Sequence, residues 1–188
     1  METNITDNQL MDDFSKCSMS AFNEIFERYK KRLFNFIRQR YYTIDKMTAE
    51  DIVQRTLVKV YEYKYKYKPT NEFSTWVYTI IKNLSFNELK RSKMMSYNES
   101  EDDPIKPAIS SLNPGNELEN QNISEIVLNA IHSLKPKYSE VLILRYLQEL
   151  NFKEISEILK INFDTAKSLA RRGLEQLGGK LSGYNIEE

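Results

Sequence analysis

The chain has 188 residues, 40% of them hydrophobic, with 12 Tyr and 9 Phe but only five Gly and five Pro. So few turn formers exclude an all-β sandwich with many tight turns and favour helices. The single cysteine, Cys17, excludes an internal disulfide and most cysteine metal sites, and fits a reducing compartment. The net charge of zero hides a segregation: 17 basic against 12 acidic side chains over residues 1–95, one against six over 96–123, and nine against nine over 124–188. A basic front, an acidic connector and a neutral back predict two modules and a linker, with the front better suited to a phosphate backbone.

Residues 1–17 are acidic and polar, unlike a signal peptide, and are expected to be loosely ordered. No apolar run reaches the roughly 18 residues of a membrane span, so a soluble, cytoplasmic chain is expected. Over residues 20–40, Phe22, Ile25, Phe26, Tyr29, Leu33, Phe36 and Ile37 recur at spacings of three and four, which predicts an amphipathic helix. Thr48 is the expected N-cap of a second helix, with Asp51 three residues on and Ile52, Val53, Leu57, Val60 and Tyr61 along one side.

Residues 61–68, YEYKYKYK, alternate strictly, as a strand would. A lone strand has no partner here, and no breaker separates this segment from the preceding helix before Pro69, so a helix end is expected instead. Its tyrosines either stack on bases or cover a small core. Asn71 is the expected cap of a third helix with Phe73, Trp76, Val77, Ile80 and Ile81 buried, followed by a separate piece over 85–93. Residues 96–122, rich in Ser, Asn, Pro and acids, read as a flexible linker spanning roughly 30 Å as a coil.

The back module is expected over 123–180, before a short tail at 181–188. Ile126, Val127, Ala130, Ile131 and Leu134 form a first stripe, and Pro136 opens a new helix with Val141, Leu142, Leu144, Leu147 and Leu150. Two further short helices follow. Asn151 caps the first, with Glu154 at the capping-box position, and Asn162 caps the second. In the last helix Ala166, Leu169, Ala170, Gly173, Leu174 and Leu177 form the apolar stripe, the small residues permitting close helix approach. The opposite face carries Thr165, Lys167, Ser168, Arg171 and Arg172, the hydroxyls and cations that a helix in the DNA major groove uses on phosphates and base edges. The fold class is therefore all-α, two small helical domains with a helix-turn-helix in the second.

The front module has two further blocks. Asp51, Gln54, Arg55 and Lys59 form one polar stripe, and Trp76, Tyr78, Lys82, Asn83, Phe86, Asn87, Lys90 and Arg91 gather aromatics, amides and cations suited to unstacked bases.

Taken together, these blocks resemble a bacterial RNA polymerase sigma factor of the sigma-70 family, in the extracytoplasmic-function (ECF) group. AEDIVQ (49–54) resembles the polymerase-binding helix of region 2, FSTWVYTIIKNLSFNEL (73–89) the part that melts and reads the −10 element, and residues 134–168 resemble region 4. The likeness covers 18–93 and 123–178. It implies that Asp51, Gln54, Arg55, Leu57 and Val58 contact the β′ clamp helices, while region 4 docks on the β flap. It implies that Asn83, Ser85, Phe86 and Asn87, beside Trp76, capture a flipped −10 base while Lys82, Lys90 and Arg91 hold phosphates. It implies that Thr165, Lys167, Ser168, Arg171 and Arg172 lie on the −35 helix. Partners would be core RNA polymerase, promoter DNA and an anti-sigma factor or other recruiting protein. The closing helix departs from the group, because Leu169, Leu174, Glu175 and Gln176 stand where basic or polar residues are usual. Fewer cations predict weaker phosphate affinity and weak reading of a −35 element.

The alternative is a two-domain helix-turn-helix regulator that does not bind core polymerase. An enzyme is disfavoured: the carboxylates are scattered, there is no Gly-rich phosphate loop or metal-spaced His/Cys cluster, and the lone His132 lies near a helix end. No metal and no cofactor is expected.

Overall fold

A computed structural model describes residues 5–68, 72–97 and 123–182. Every regular element among them is helical. The front module holds α1 (Asp7–Ser15), α2 (Met19–Arg40), α3 (Lys46–Glu62), a 3₁₀ turn (Lys64–Lys66) and α4 (Phe73–Tyr97). The back module holds α5 (Ile123–His132), α6 (Pro136–Leu142), a π-helical turn (Ile143–Leu147), α7 (Phe152–Leu159) and α8 (Phe163–Leu181). The linker expected at 96–122 starts later, since α4 runs to Tyr97, and the tail expected at 181–188 starts later, since α8 runs to Leu181; residues 98–122 and 183–188 lie outside the described residues.

Residues 1–17 are not all loosely ordered. Thr6 and Gln9 form a reciprocal capping box that opens α1. Leu10, Met11 and Phe14 are buried, so the short helix has an apolar stripe to hide. Asp7 fixes it to α2, accepting from Arg28 Nη1 at 2.8 Å and from the Tyr29 hydroxyl at 2.6 Å. Asn8 reaches further: its Oδ1 accepts from the Tyr67 hydroxyl (2.9 Å) and from the backbone N–H of Phe73 (2.8 Å), the first residue of α4. That N–H would otherwise be an orphan of the helix start. The cap expected at Asn71 lies outside the described residues.

Helix α2 buries the expected stripe through Ile25, Tyr29, Leu33, Phe36 and Ile37. Helix α3 starts earlier than expected. Asp45, not Thr48, is the N-cap, and Thr48 donates its N–H (3.0 Å) and hydroxyl (2.6 Å) to the Asp45 carboxylate. A carboxylate is favoured there because it faces the positive end of the helix dipole. The alternating segment 61–68 is the end of α3 and a 3₁₀ turn, as expected from its lack of a strand partner. The piece expected to be separate at 85–93 is continuous with the helix before it, since no Gly or Pro interrupts α4 over its 25 residues.

In the back module Pro136 sits in the first turn of α6, where its missing N–H costs nothing. Asn151 and Glu154 form a full capping box on α7, and Asn162 caps α8 through the Thr165 N–H at 2.6 Å. Lys160 closes α7 in the left-handed region at φ 56°. Gly173 lets α8 approach α6, for a Cβ added there would stand 3.2 Å from the Leu142 side chain. Leu174, expected in the same apolar stripe, is 43% exposed, because Gly173 takes the contact with α6 and turns its neighbour outward.

The modules pack on one another. Helix α7 rests on α4, and the π-helical turn rests on α2.

Candidate nucleic-acid interface

On α3, Asp51, Gln54 and Val58 are exposed and Arg55 is half-buried. Spaced by three and four, they form one strip along the helix. Leu57 does not join it. It is 2% exposed and lies in the core with Val53 and Val60, whereas Val58, one position on, is 53% exposed. A step of one residue turns a helix by about 100°, which is enough to separate a core residue from a surface one.

On α4, Asn83, Phe86, Asn87, Lys90 and Arg91 are exposed. The Lys90 ammonium lies 4.7 Å from the Phe86 ring centroid, so an aromatic face and a cation are presented together. Three sequence candidates lie elsewhere. Ser85 is fully buried and its hydroxyl has no hydrogen-bond partner, so it packs inside the module instead of meeting a base. Trp76 is half-buried between Tyr67 (5.5 Å) and Phe73 (6.1 Å), anchoring the N-terminal end of α4. Lys82 points to the back module, where its Nζ donates to the Ile158 carbonyl at 3.3 Å and lies 3.6 Å from Glu140 Oε1.

Behind the two faces runs a brace that sequence reading missed. Buried Glu88 faces Arg91 (2.8 Å) and Arg55 (3.4 Å), and Arg55 also pairs with Asp51 (3.0 Å). The i,i+3 spacing of Glu88 and Arg91 was legible, but Arg55 comes from another helix and gave no signal in sequence.

The aromatic-basic segment divides between the two readings it allowed. Lys64 is buried, its ammonium 4.6 Å from the Phe14 ring centroid and 5.0 Å from that of Tyr61. Tyr63 and Tyr65 are exposed, and Lys66 lies 4.4 Å from the Tyr63 ring centroid.

On α8, Lys167, Arg171 and Arg172 are exposed, with Thr165 and Ser168 half-buried beside them. Part of this charge is already engaged. Arg171 pairs with Glu175 one turn on, and the Lys167 ammonium sits 4.5 Å from the Phe163 ring centroid. Among the described residues Arg172 has no ion pair. The face is thus less positive than its cation count suggests.

The contact between modules centres on Gln148, which is 3% exposed. Its Oε1 accepts from the Tyr78 hydroxyl (2.7 Å), its Nε2 donates to Gln39 Oε1 (2.7 Å), and its carbonyl accepts from Arg32 Nη2 (3.1 Å). Burial pushes the Tyr78 hydroxyl up to about 12, so it remains a donor. His132 Nε2 lies 2.5 Å from the Gln39 carbonyl, and its ring lies 4.5 Å from that of Tyr42. Burial holds the His132 pKa below 6.5. Glu140 also faces Arg40 at 3.4 Å, and Ser74 donates to Glu154. Among the described residues no group of His, Cys, Asp and Glu is arranged to hold a metal, and no helix is long and apolar enough to cross a membrane.

Residues 25–94 match the family described as Sigma-70 region 2, and residues 124–177 match Sigma-70, region 4. Among curated proteins, the chain is 27% identical over 173 residues to the ECF RNA polymerase sigma factor SigW of Bacillus subtilis, covering 88% of this chain and 91% of that one. It is 25% identical over 177 residues to the RNA polymerase sigma factor CarQ of Myxococcus xanthus, covering 94% and 98%. Two solved structures share the fold. One is the sigma factor RpoE of Bartonella quintana in complex with the anti-sigma factor NepR (TM-score 0.66, 20% identity, 87% and 98% covered). The other is CnrH in complex with the cytosolic domain of CnrY (TM-score 0.68, 16% identity, 95% and 99% covered). With both regions matched in order and whole-length relatives of one kind, the chain belongs to the sigma-70 family of RNA polymerase sigma factors, in its ECF group, non-enzymatic DNA-binding factors of transcription initiation.

Proposed function

We propose that this chain binds core RNA polymerase through both modules, brings a −35 and a −10 reader to fixed spacing, and opens the promoter at the −10 element. One observation carries the reading. The front module exposes two separate chemically distinct strips, Asp51/Gln54/Arg55/Val58 on α3 and Asn83/Phe86/Asn87/Lys90/Arg91 on α4. A DNA regulator that works without polymerase has no use for the first strip beside the second. The α3 strip docks on the β′ clamp helices, with Val58 as its apolar contact and Arg55 as its charged one. The back module docks on the β flap. The α4 strip holds the melted strand: Asn83 and Asn87 offer amide donors and acceptors to a base edge, Phe86 offers a stacking face, and Lys90 and Arg91 take phosphates. Unstacking a base costs a few kcal/mol, and stacking on an aromatic side chain returns about 1–3 kcal/mol per base.

Thr165, Lys167, Ser168, Arg171 and Arg172 on α8 read the −35 duplex, weakly, because Glu175 and Phe163 already engage two of the cations. Polymerase compensates by holding both readers on one body, which raises their effective concentration on DNA. An anti-sigma factor, as seen with RpoE, is a further partner for the exposed apolar residues of both modules.

In vitro transcription with core polymerase on a promoter library tests the proposal. Sigma-dependent, sequence-selective transcripts that vanish with Val58→Asp are expected. DNA binding by the chain alone with no polymerase complex would overturn it in favour of a stand-alone regulator.

A further inference from the structure

Charges of alternating sign join the two strips of the front module: Asp51, Arg55, Glu88 and Arg91. The ends are open to water, with 59% of the Asp51 side chain and 69% of that of Arg91 exposed, whereas only 10% of the Glu88 side chain is. The contacts along this row are unequal. Arg91 Nη2 donates to Glu88 Oε1 at 2.8 Å, a charge-assisted hydrogen bond of ordinary length. Arg55 Nη2 reaches the other oxygen, Oε2, only at 3.4 Å. Arg55 Nε lies 3.0 Å from Asp51 Oδ2 but makes no hydrogen bond, so that contact is one of charge alone. In the free chain Glu88 therefore holds Arg91 firmly, while Arg55 stands between two carboxylates and is seated on neither.

A buried carboxylate must keep a counter-ion, because it has lost its water. Glu88 has two and needs one. When a phosphate takes Arg91, Glu88 draws Arg55 in, and the pull of the exposed Asp51, screened by solvent and salt, is too weak to oppose it. Asp51 is then left uncompensated, ready for a cation or N–H donor on polymerase. The same steps run from the other end. A polymerase donor on Asp51 releases Arg55 to Glu88, which loosens its hold on Arg91 and offers that arginine to a phosphate. Closing the middle pair opens both ends together. Arg55 keeps donors to spare for polymerase in either state.

We propose that Glu88 is a positioning residue that couples polymerase docking at Asp51 to phosphate capture at Arg91, acting through the arginine between them, Arg55. The proposal rests on the α3 strip being the polymerase contact. Its consequence is a front module whose grip on the melted strand tightens when polymerase is bound. By reciprocity, its grip on polymerase tightens by the same factor when the strand is held.

The test measures core polymerase binding by the labelled full chain at low salt, for wild type, Arg91→Ala, Glu88→Gln and the double variant. Arg91→Ala imitates the departure of Arg91 to DNA. It should tighten core binding about fivefold, at the low end of typical coupling because both ends of the row are exposed. In the Glu88→Gln background the same substitution should change nothing, since a neutral amide exerts no such pull on Arg55. Lys93 is an exposed cation on the same helix with no ion pair among the described residues, and Lys93→Ala should leave core binding as in wild type. That control carries the comparison if Glu88→Gln does not fold. Core binding by Arg91→Ala that is unchanged or weaker, or a gain shared by Lys93→Ala or by the Glu88→Gln background, would overturn the coupling. If no protein of the set binds core polymerase, the sigma-factor reading falls and a second arm decides the coupling within the chain. There Asp51→Asn should raise affinity for a labelled single-stranded oligonucleotide about fivefold more with Glu88 than with Gln at that position, and absence of that difference overturns it.

Discussion

Replacing Glu175 with glutamine, and then with lysine, should strengthen promoter binding in two measurable steps. Arg171 and Glu175 form an exposed i,i+4 pair on α8, with side-chain exposures of 67% and 58%. Such pairs contribute at most a few tenths of a kcal/mol, so neither substitution should change folding stability measurably. The effect on DNA is larger, because it acts through counterion release. Each phosphate newly neutralised steepens the dependence of log K on log salt by about 0.9. Between 0.05 and 0.2 M salt, each such contact therefore changes affinity by about 3.5-fold. Glu175→Gln frees Arg171 and should steepen the slope by about one contact. Glu175→Lys adds its own ammonium and should steepen it by about two, with most of the gain at low salt. The assay is salt-titrated binding of the reconstituted holoenzyme to a duplex promoter fragment. Equal slopes for all three proteins would refute the reasoning, since they would mean that α8 lies off the DNA or that Arg171 exchanges Glu175 for phosphate without penalty.

The neighbours Leu57 and Val58 should behave oppositely. Leu57→Ala leaves a buried void and should lower unfolding stability by about 2–5 kcal/mol in urea titrations, whereas Val58→Asp should leave stability near wild type and abolish co-purification with core polymerase. Asn151→Ala removes a side chain that accepts from the Lys153 and Glu154 N–H groups at 2.9 and 3.0 Å, and should cost about 1 kcal/mol on thermal or urea unfolding. Stability should also fall in mild acid. The folded pKa of His132 lies below the unfolded value near 6.5, so packing favours the neutral ring. Its contribution is complete above pH 6.5 and is lost as pH falls through the lower folded pKa. Arg40 opposes protonation of the ring, and Tyr42 stacks on it. His132→Gln should reduce the drop in melting temperature between pH 7.5 and pH 5.5, and an unchanged drop would assign the acid sensitivity to carboxylates alone.

Local signals were read well wherever a cap or a stripe decided the outcome by itself. Asn151 with Glu154, Asn162 and Pro136 stand where their side chains satisfy or lack the N–H groups of a helix start. The failures share a cause. Thr48 lost the cap of α3 to Asp45 because two residues in the same turn can both accept, and their competition is settled by the path of the entering chain. Leu174 fits the apolar stripe of α8 by spacing, yet the approach of α6 at Gly173 decides which edge of that stripe is covered. Residues 1–17 are polar on average, and their short stripe of Leu10, Met11 and Phe14 is stable only because α2, the 3₁₀ turn and α4 receive it. In the candidate interface, the exposure of Asn83, Phe86, Asn87, Lys90 and Arg91 agrees with the sequence reading. Ser85 and Leu57 point inward because one helical step carries a side chain from face to core.

The sequence by itself determined the helical class, the order of the modules, the family and the strips that face outward, because helix periodicity and capping are properties of neighbours three and four residues apart. Tertiary structure alone decided that Arg55 joins Glu88, and that Lys82 lies on the end of α7 beside Glu140. It also decided that Gln148 ties the two modules together. These contacts join residues 33 to 116 positions apart, and no periodicity within one helix encodes which distant side chain will meet it.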